Sequence, residues 1–518
     1  MNIGLVNIYA FRPHMEHLYF LAKTLEDAGH NTHFLTCDAA LSDCYPRSLK
    51  DTSKLSECSK CIIGGIRSYP VGNVTSIKKK TQHHITEDEL RNIALSSACT
   101  LNRTESDDDH HLAEVEKTVE KLIPSIAKTY NSATNWIRNN QLDGVVVFNG
   151  RMDVTRAITY ACEIENVPFI THERTWFGDG LRLNPGSNCL SIKHVDKLVQ
   201  EFDSKPLTKE QALLAGNHIA QRFLQSNTLE WRLYNANPEP AKWPINTQGK
   251  KVLVIPSSKN EFAGHDEWKS TWKSNTDALN DYMQAFNINP QQMVIRFHPN
   301  WAENIGAVKG EKSIYHYSEW ANAKGVHVVS SDSKLSTYDL IQQADIVIMN
   351  GGSSAVEAGA CGKEVICLGP SPYMNCRFVR CFQRKEELYD SEKIVDISPV
   401  EIIQSTLRYV YLRARRFPQY IDNVKARTTT RYEYYSGADP DVLIRMFKSN
   451  QVEAYDKSFE QTDEDELEVI KKIIEKRWRE LVSPKSMNSN LGHRLKISRR
   501  GGFKLIDGLR DHLKRGDR

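Results

Sequence analysis

Twice along this chain, short runs of consecutive apolar residues alternate with segments of helical periodicity, and that alternation restricts the fold more than any other feature. In the first half the runs fall at 3–8, 32–36, 144–148 and 167–171, with helical stretches at 14–28, 112–139 and 153–165. The first helical stretch carries Leu18, Leu21, Ala22 and Leu25 on one face and stops at Gly29, a residue suited to ending a helix. In the second half the runs fall at 251–256, 293–297, 326–330, 345–349 and 364–369, with helical stretches at 268–286, 337–344 and 356–361. Runs that are apolar throughout suit strands buried on both faces, as in a parallel sheet covered by helices. The chain therefore reads as α/β, with two Rossmann-like, doubly wound parallel sheets and a helical C-terminal extension.

The expected division is 1–235 for an N-terminal acceptor-side unit, with a cysteine-containing insertion at about 37–110. A proline-rich linker follows at 236–249, carrying Pro238, Pro240 and Pro244. A donor-binding unit spans 250–445, and a helical extension with a basic tail spans 446–518. With 40% hydrophobic and 26% charged residues, each unit can bury a core of its own. The net charge of +3 is close to balance, which argues against a nucleic-acid partner. The start, Met1 to Ile8, lacks a basic segment followed by a long apolar one, and no stretch approaches the roughly 18 apolar residues that span a bilayer. These features give the expectation of a cytoplasmic protein, peripheral at the inner face of a membrane.

Ligands of open α/β sheets bind beyond the carboxyl ends of the strands, so residues just after each run are the candidates for chemistry. The segment from Asp345 to Glu357 reads as strand, turn and helix start, and the turn is Asn350, Gly351, Gly352, Ser353, Ser354. Its amide N–H groups and hydroxyls at a helix N-terminus suit a phosphate. Glu357, one turn on, suits ribose hydroxyls. Arg296, His298 and Pro299 end the 293–297 run, and His298 suits a phosphate oxygen or leaving group. Ser258 and Lys259 follow the 251–256 run and face the same cleft. Taken singly, each of these is commonly no more than a turn, a cap or a surface charge; their order after successive strands of one sheet carries the reading.

In the first half, strand ends bring up Asp153 on one side and His172 and Glu173 on the other. Transfer to a hydroxyl needs a carboxylate or imidazole to take its proton, and Glu173 is the first choice, with His172 and Asp153 behind it. The alternative for Glu173 is an ion pair with Arg174 or Arg151. Arg151, Arg174 and His14 are candidates for an anionic acceptor or for donor phosphate.

The series Arg296-Phe-His-Pro-Asn300, Ser336-Thr-Tyr-Asp-Leu-Ile341, Ala344-Asp345, and Ser353-Ser354-x-x-Glu357-Ala358 with Gly362-Lys363-x-Val365 resembles the donor domain of GT-B glycosyltransferases. It is most similar to the capsule polysaccharide transferases that include Kdo transferases, and resembles bacterial sialyltransferases and CDP-glycerol glycerophosphotransferases. The resemblance covers about 250–440, and the first half by architecture alone. It implies a bacterial enzyme moving a sugar from a CMP-, UDP- or GDP-linked donor to a surface polysaccharide or glycolipid precursor; no obligatory catalytic metal is expected, because no Asp-x-Asp motif stands at a strand end to hold one. The acidic pair before glycine that carries the base in sialyltransferases has Asp179-Gly180 as its nearest fragment here. Three other readings stay open: a nucleotide-sugar epimerase, a CDP-polyol phosphotransferase, and a non-catalytic nucleotide-binding scaffold of a glycan assembly complex.

Two features lie outside that scheme. Cys37, Cys44, Cys58 and Cys61 are spaced C-x6-C-x13-C-x2-C. Four thiolates suit structural zinc or an iron–sulfur cluster, with four unlinked thiols as the plain alternative. The tail beyond Lys485 mixes Arg494, Lys496, Arg499, Arg500, Lys504, Arg510, Lys514 and Arg515 with Leu495, Ile497, Phe503, Leu505, Ile506, Leu509 and Leu513. Such a basic amphipathic segment suits an anionic membrane surface; a helix docked on the protein is the other reading.

Overall fold

The computed structural model describes residues 1–78, 82–230, 238–302, 310–394, 396–482 and 491–505. The first sheet contains β1 (Asn2–Asn7), β2 (Asn31–Thr36), β3 (Val74–Ser76), β4 (Gly144–Phe148), β5 (Phe169–Arg174) and β6 (Leu181–Pro185), in the order β3-β2-β1-β4-β5-β6. All pairings are parallel except β5 with β6. The second contains β7 (Val252–Ile255), β8 (Met293–Arg296), β9 (His327–Val329), β10 (Ile346–Met349), β11 (Glu364–Leu368) and β12 (Val379–Phe382), in the order β12-β11-β10-β7-β8-β9, all parallel. The two expected α/β units are present. The apolar runs lie where burial on both faces demands them: Val145, Val146 and Val147 in the first sheet and Val252 and Leu253 in the second are fully buried.

In both sheets the winding reverses beside the first strand of the set. In the first sheet the reversal falls between β1 and β4, where Leu5 pairs with Val146. In the second it falls between β7 and β10, where Leu253 pairs with Val347. Such switch points open a crevice at the carboxyl ends of the strands, and both candidate sites lie there.

Three cores hold the layers together. One covers a face of the first sheet with the helices Glu87–Asn102, Ala113–Asn139 and Asp153–Ile164. Another covers a face of the second with Asn275–Ala285 and Glu311–Lys324. The largest runs continuously from one sheet to the other through the helices Lys193–Phe202, Lys209–Phe223 and Pro399–Tyr411. The helix Lys209–Phe223 begins with a capping box, in which Thr208 accepts from the Gln211 amide and Gln211 accepts from the Thr208 amide.

The division at 445 needs correction. From residue 419 to about 450 the chain packs on the first sheet, and beyond it the helix Glu464–Ile474 packs on the helices Lys209–Phe223 and Pro399–Tyr411. Gln419 and Leu181 exchange two backbone hydrogen bonds of 2.8 Å. The hairpin β13 (Val424–Thr428) and β14 (Arg431–Tyr435) lies on the helix His14–Asp27, with Tyr434 against Phe20. Phe447 fills the space beside Gly144 that a side chain there would occupy. The chain thus stays on the first unit as far as Glu230, builds the second sheet from Val252, and returns. Of the expected linker, residues 239–243 run beside the helix Thr337–Gln343, with the Ala241 amide on Asp339 and the Trp243 amide on Gln343, and Gln248 accepts from Gln292; residues 236 and 237 lie outside the described residues.

The tail also departs from expectation. Arg494–Leu495 form β15, paired with β14. Arg499 donates to the Ile63 carbonyl, and Arg500 donates to the carbonyls of Tyr69 and Val71. Of the side chains read as a membrane-facing row, Arg494, Arg499 and Arg500 fasten this stretch to the protein, and Leu505 is exposed. Ile506, Leu509, Arg510, Leu513, Lys514 and Arg515 lie outside the described residues. Among the described residues no helix is long and apolar enough to cross a membrane.

Candidate functional site

At the carboxyl ends of β7, β10 and β11 a cavity of about 550 Å³ opens. Asn350, Gly369 and Pro370 form its floor, and the segment after β7 supplies its walls, with Phe262, Trp268 and Trp272. Phe262 and Trp268 stack at 3.8 Å between ring centroids. The far side comes from the first unit, through Asn92, Leu95, Asp107 and His110. The cavity is thus bounded by both units, at the switch point of the second sheet.

Asn350 fixes this crevice. Its Oδ1 accepts from the Ser257 amide at 2.7 Å and its Nδ2 donates to the Ser257 carbonyl at 2.9 Å. Gly351 follows with φ +90, a left-handed conformation that glycine adopts without strain, and the ring of Trp268 lies over it. Lys259 lines the same cavity, but its ammonium is held by the carbonyls of Trp272 and Lys273 and by Asp107 at 2.9 Å. Its amide donates to Glu105, a buried carboxyl of the first unit that also accepts from Ser313. Burial pushes Glu105 up to about 7.

The remaining expected donor contacts divide. Gly352 sits beside Ser257, and Ser354 opens the helix Ser354–Ala360. Ser258 accepts from the Trp301 indole at 2.9 Å. His298 accepts the Asn300 amide at its Nδ1, which caps the single turn Pro299–Trp301, and burial takes it down to about 4. Arg296 turns its guanidinium onto the carbonyls of Ser330 and Ser333 and onto Thr337. It braces the loop after β9, and its burial leaves no face toward a donor.

Glu357 differs most from its expected role. Its Oε1 accepts from Arg222 Nε at 2.9 Å, and both side chains are buried. Arg222 also donates to Ser353 at 3.3 Å and pairs with Glu230 at 3.0 Å, and Glu230 accepts from the Trp176 indole at 3.1 Å. Burial raises Glu357, and the Arg222 cation opposes that rise. The carboxylate expected to meet a ribose is here the hub of a bridge between the two units.

At the carboxyl edge of the first sheet, the structure brings His14, His172, Glu173 and Arg174 together. His14 begins the helix after β1; His172 and Glu173 end β5. His14 Nε2 lies 3.2 Å from Glu173 Oε1, which also accepts the Arg174 amide at 3.0 Å. Asn149, after β4, reaches the other oxygen at 3.5 Å. Glu173 is half-buried, and burial raises it above the usual carboxylate range. Burial takes His14 and His172 down to about 3, with Arg174 adding to the effect on His14. Both rings are therefore neutral at ordinary pH, and His14 can donate to an ionised Glu173 as a neutral imidazole. His17 belongs to the same cluster, with its Nδ1 at 2.9 Å from the Tyr434 hydroxyl.

The other first-unit candidates are structural. Asp153 is fully buried, with one oxygen taking the Tyr9 hydroxyl and the other the Tyr45 amide at 2.9 Å. Arg151 donates to Ser96 and Thr100 at 3.0 Å and to the Glu261 carbonyl at 3.2 Å, so it locks the units together and offers no free fork to a phosphate. Arg174 donates to the Thr429 carbonyl at 2.6 Å. Asp179 accepts the Ala426 amide and pairs with Lys425, fastening the hairpin. Among the described residues no group of three or more His, Cys, Asp or Glu donors could hold a single metal ion. The zinc expectation therefore finds no ready tetrahedron, although Cys37, Cys44, Cys58 and Cys61 all line one small cavity beyond β1 and β2.

Two doubly wound sheets with a ligand-sized crevice between their units define the GT-B architecture. No family model matches the chain, and no curated sequence does. Among solved structures it is similar to the Thermosulfurimonas dismutans KpsC beta Kdo 2,4 transferase, at 12% identity over 64% of this chain and 87% of that one, with a TM-score of 0.33. It is also similar to a Neisseria meningitidis UDP-GlcNAc 2-epimerase bound to UDP-GlcNAc, at 13% identity over 79% and 96%, with a TM-score of 0.27. A third is the spinosyn rhamnosyltransferase SpnG, at 10% identity over 86% and 100%, with a TM-score of 0.24. With scores this low, the architecture rests on the strand orders given above.

Proposed function

We propose that this protein is a glycosyltransferase that takes a sugar from a nucleotide-linked donor and delivers it to a hydroxyl of a surface polysaccharide or glycolipid precursor. The observation that carries the reading is the crevice of about 550 Å³ at the β7–β10 switch point, walled by aromatic rings and closed by the other unit. Its size and its mix of aromatic walls and polar lining groups suit a nucleotide. The base packs against Trp268 and Trp272, and Asn350 with the Gly351–Gly352–Ser353–Ser354 turn receives the phosphates. CMP-, UDP- and GDP-linked donors all meet these requirements.

Glu173 acts as general base. Its carboxylate removes the acceptor proton, the acceptor oxygen bonds to the anomeric carbon, and the anomeric C–O bond to phosphate breaks, releasing the nucleotide with that electron pair. Neutral His14 orients the carboxylate and His172 packs behind it. A base of raised pKa lies closer to the hydroxyl it must deprotonate.

The test is a thermal-shift series with CMP, CDP, UDP, GDP and dTDP, since a ligand that binds only the folded state raises its melting temperature. One nucleotide should stabilise the protein, and Trp268→Ala should reduce that shift at the same nucleotide concentration. No shift with any of them at millimolar concentration overturns the reading. Product analysis with the matching sugar nucleotide separates transfer from the other reactions: epimerisation proceeds without acceptor, polyol transfer requires a CDP-alcohol, and a scaffold turns over nothing.

A further inference from the structure

Two arginines meet near the junction of the units without a counter-charge. Arg182 lies on β6 and Arg413 just after the helix Pro399–Tyr411. Both guanidinium groups rest on the Phe417 ring, 5.7 and 5.8 Å from its centroid. Arg182 Nη2 donates to the Ser191 carbonyl at 3.1 Å, and Arg413 Nη1 to the Tyr409 hydroxyl at 2.8 Å. The Nε of each has no partner. Both side chains are half-buried, so each keeps some opening to solvent.

The neighbouring charge is matched. Arg222 lies 5.2 Å from the Trp176 ring, on which Arg413 also rests at 5.1 Å, and faces two carboxylates, Glu230 and Glu357. Among the described residues no carboxylate lies within ion-pair distance of Arg182 or Arg413. Glu173, opposite Arg182 in the β5–β6 register, is turned to His14 instead. Burial and the Arg413 charge together lower Arg182 to about 10. Asn184 lies two residues along β6 and so on the same face as Arg182. It is fully buried, and neither its side-chain oxygen nor its nitrogen has a partner. Desolvated cations held side by side are unfavourable unless an opposite charge completes them.

We propose that Arg182 and Arg413 bind an oxyanion, a carboxylate or a phosphate, carried by the acceptor. A guanidinium fork matches either group with paired N–H donors. The assignment to the acceptor rests on the transferase reading above. Arg182 is the cross-strand neighbour of Glu173, and such neighbours lie about 5 Å apart at Cα, so an anion held there sits beside the hydroxyl that Glu173 deprotonates. The nucleotide phosphates are met elsewhere, at the turn after β10. The site thus selects acidic acceptors over neutral ones.

The experiment is a thermal-shift series on the full chain with inorganic phosphate and with glucuronate at constant ionic strength, with sodium chloride and glucose as controls. At least one oxyanion should raise the melting temperature, and neither control should. Arg182→Gln and Arg413→Gln should each weaken that binding by about 10–100-fold, the loss of a charge-assisted hydrogen bond, and leave the nucleotide-induced shift in place. Phenylglyoxal labelling of the wild-type chain, mapped by mass spectrometry, should be slowed by the same anion at Arg182 and Arg413 and not at the exposed Arg445. That measurement locates the site even where a variant fails to fold. A response to glucuronate alone assigns a carboxylate, and one to phosphate alone a phosphate ester. No stabilisation by either overturns the proposal, as does stabilisation with labelling unchanged at both arginines. Loss of the nucleotide shift in both variants overturns the acceptor assignment and gives the site to the donor. An anion effect at these arginines without any nucleotide shift keeps the anion site and overturns the transferase reading.

Discussion

The two sheets have the same winding and use their carboxyl edges differently. The edge of the first is crowded with titratable groups, His14, His17, His172 and Glu173, packed closely around a half-buried carboxylate. The edge of the second opens into a crevice of about 550 Å³ whose indole rings, asparagine and glycines are joined by dispersed charged and imidazole groups, Asp107, His110, Lys259, His265, Asp266 and Lys269, with Lys259 held by backbone carbonyls. One topology can thus serve proton transfer at one switch point and ligand binding at the other. What differs is whether helix and strand ends close on each other, as at β1 and β5, or are held apart by an intervening aromatic segment, as after β7.

That contrast breaks most directly at Glu173. Glu173→Gln should lower turnover by about 10²–10⁴-fold, the range for a lost general base, while the nucleotide-induced thermal shift stays as in wild type. If turnover survives, the base lies elsewhere. Next comes the bridge: Glu357→Leu leaves the Arg222 cation buried with one partner fewer, and should reduce unfolding free energy by about 3–5 kcal/mol, measured by urea titration. Replacing Arg222, Glu357 and Glu230 together by Met, Leu and Gln, so that no charge of the trio stays buried alone, should restore much of that loss. Trp268→Ala should weaken nucleotide binding by about 10–100-fold, as removing a stacking partner worth about 1–3 kcal/mol does, with calorimetry as the readout.

The smallest effect is graded and concerns pH. His14 and His172 are held at about 3 in the fold against about 6.5 unfolded. The unfolded chain therefore binds more protons between those values, so stability contributed by keeping the rings neutral is lost as pH falls from about 6.5 toward 3. Melting temperature should decline across that window, and less steeply in His14→Phe. For the proposed transfer, the sign is set by Glu173, which would act as base in its ionised form and whose pKa is raised by burial. The acid limb of kcat/KM should lie above the usual carboxylate range and move when Asn149→Ala removes a partner.

The sheets were legible because runs such as Val145–Val146–Val147 are apolar without interruption, which few other environments tolerate. The strands that sequence reading misses are those with charged or polar interruptions. Strand β12 contains Arg380, β6 contains Arg182 and Asn184, and β14 alternates tyrosines with Glu433. The helix expected from 268 begins only at Asn275, where Ser274 supplies the cap, and the residues before it wall the crevice with no periodicity to mark them. Glu173 and His14 were visible as strand-end and helix-start residues. The partner of Glu357 was not, because Arg222 lies 135 positions away on a helix that sequence assigns to the other unit.

The return of the chain after Tyr411 has a mechanical consequence. The chain joins the second sheet to the first unit at two crossings, one beyond Glu230 and one before Gln419. A body on a single tether can swivel freely, whereas one held at two points turns about the line between them, like a door on a pair of pins. Opening the crevice to admit and release a ligand is then a rotation about that line, and sliding the units apart would stretch both attachments at once.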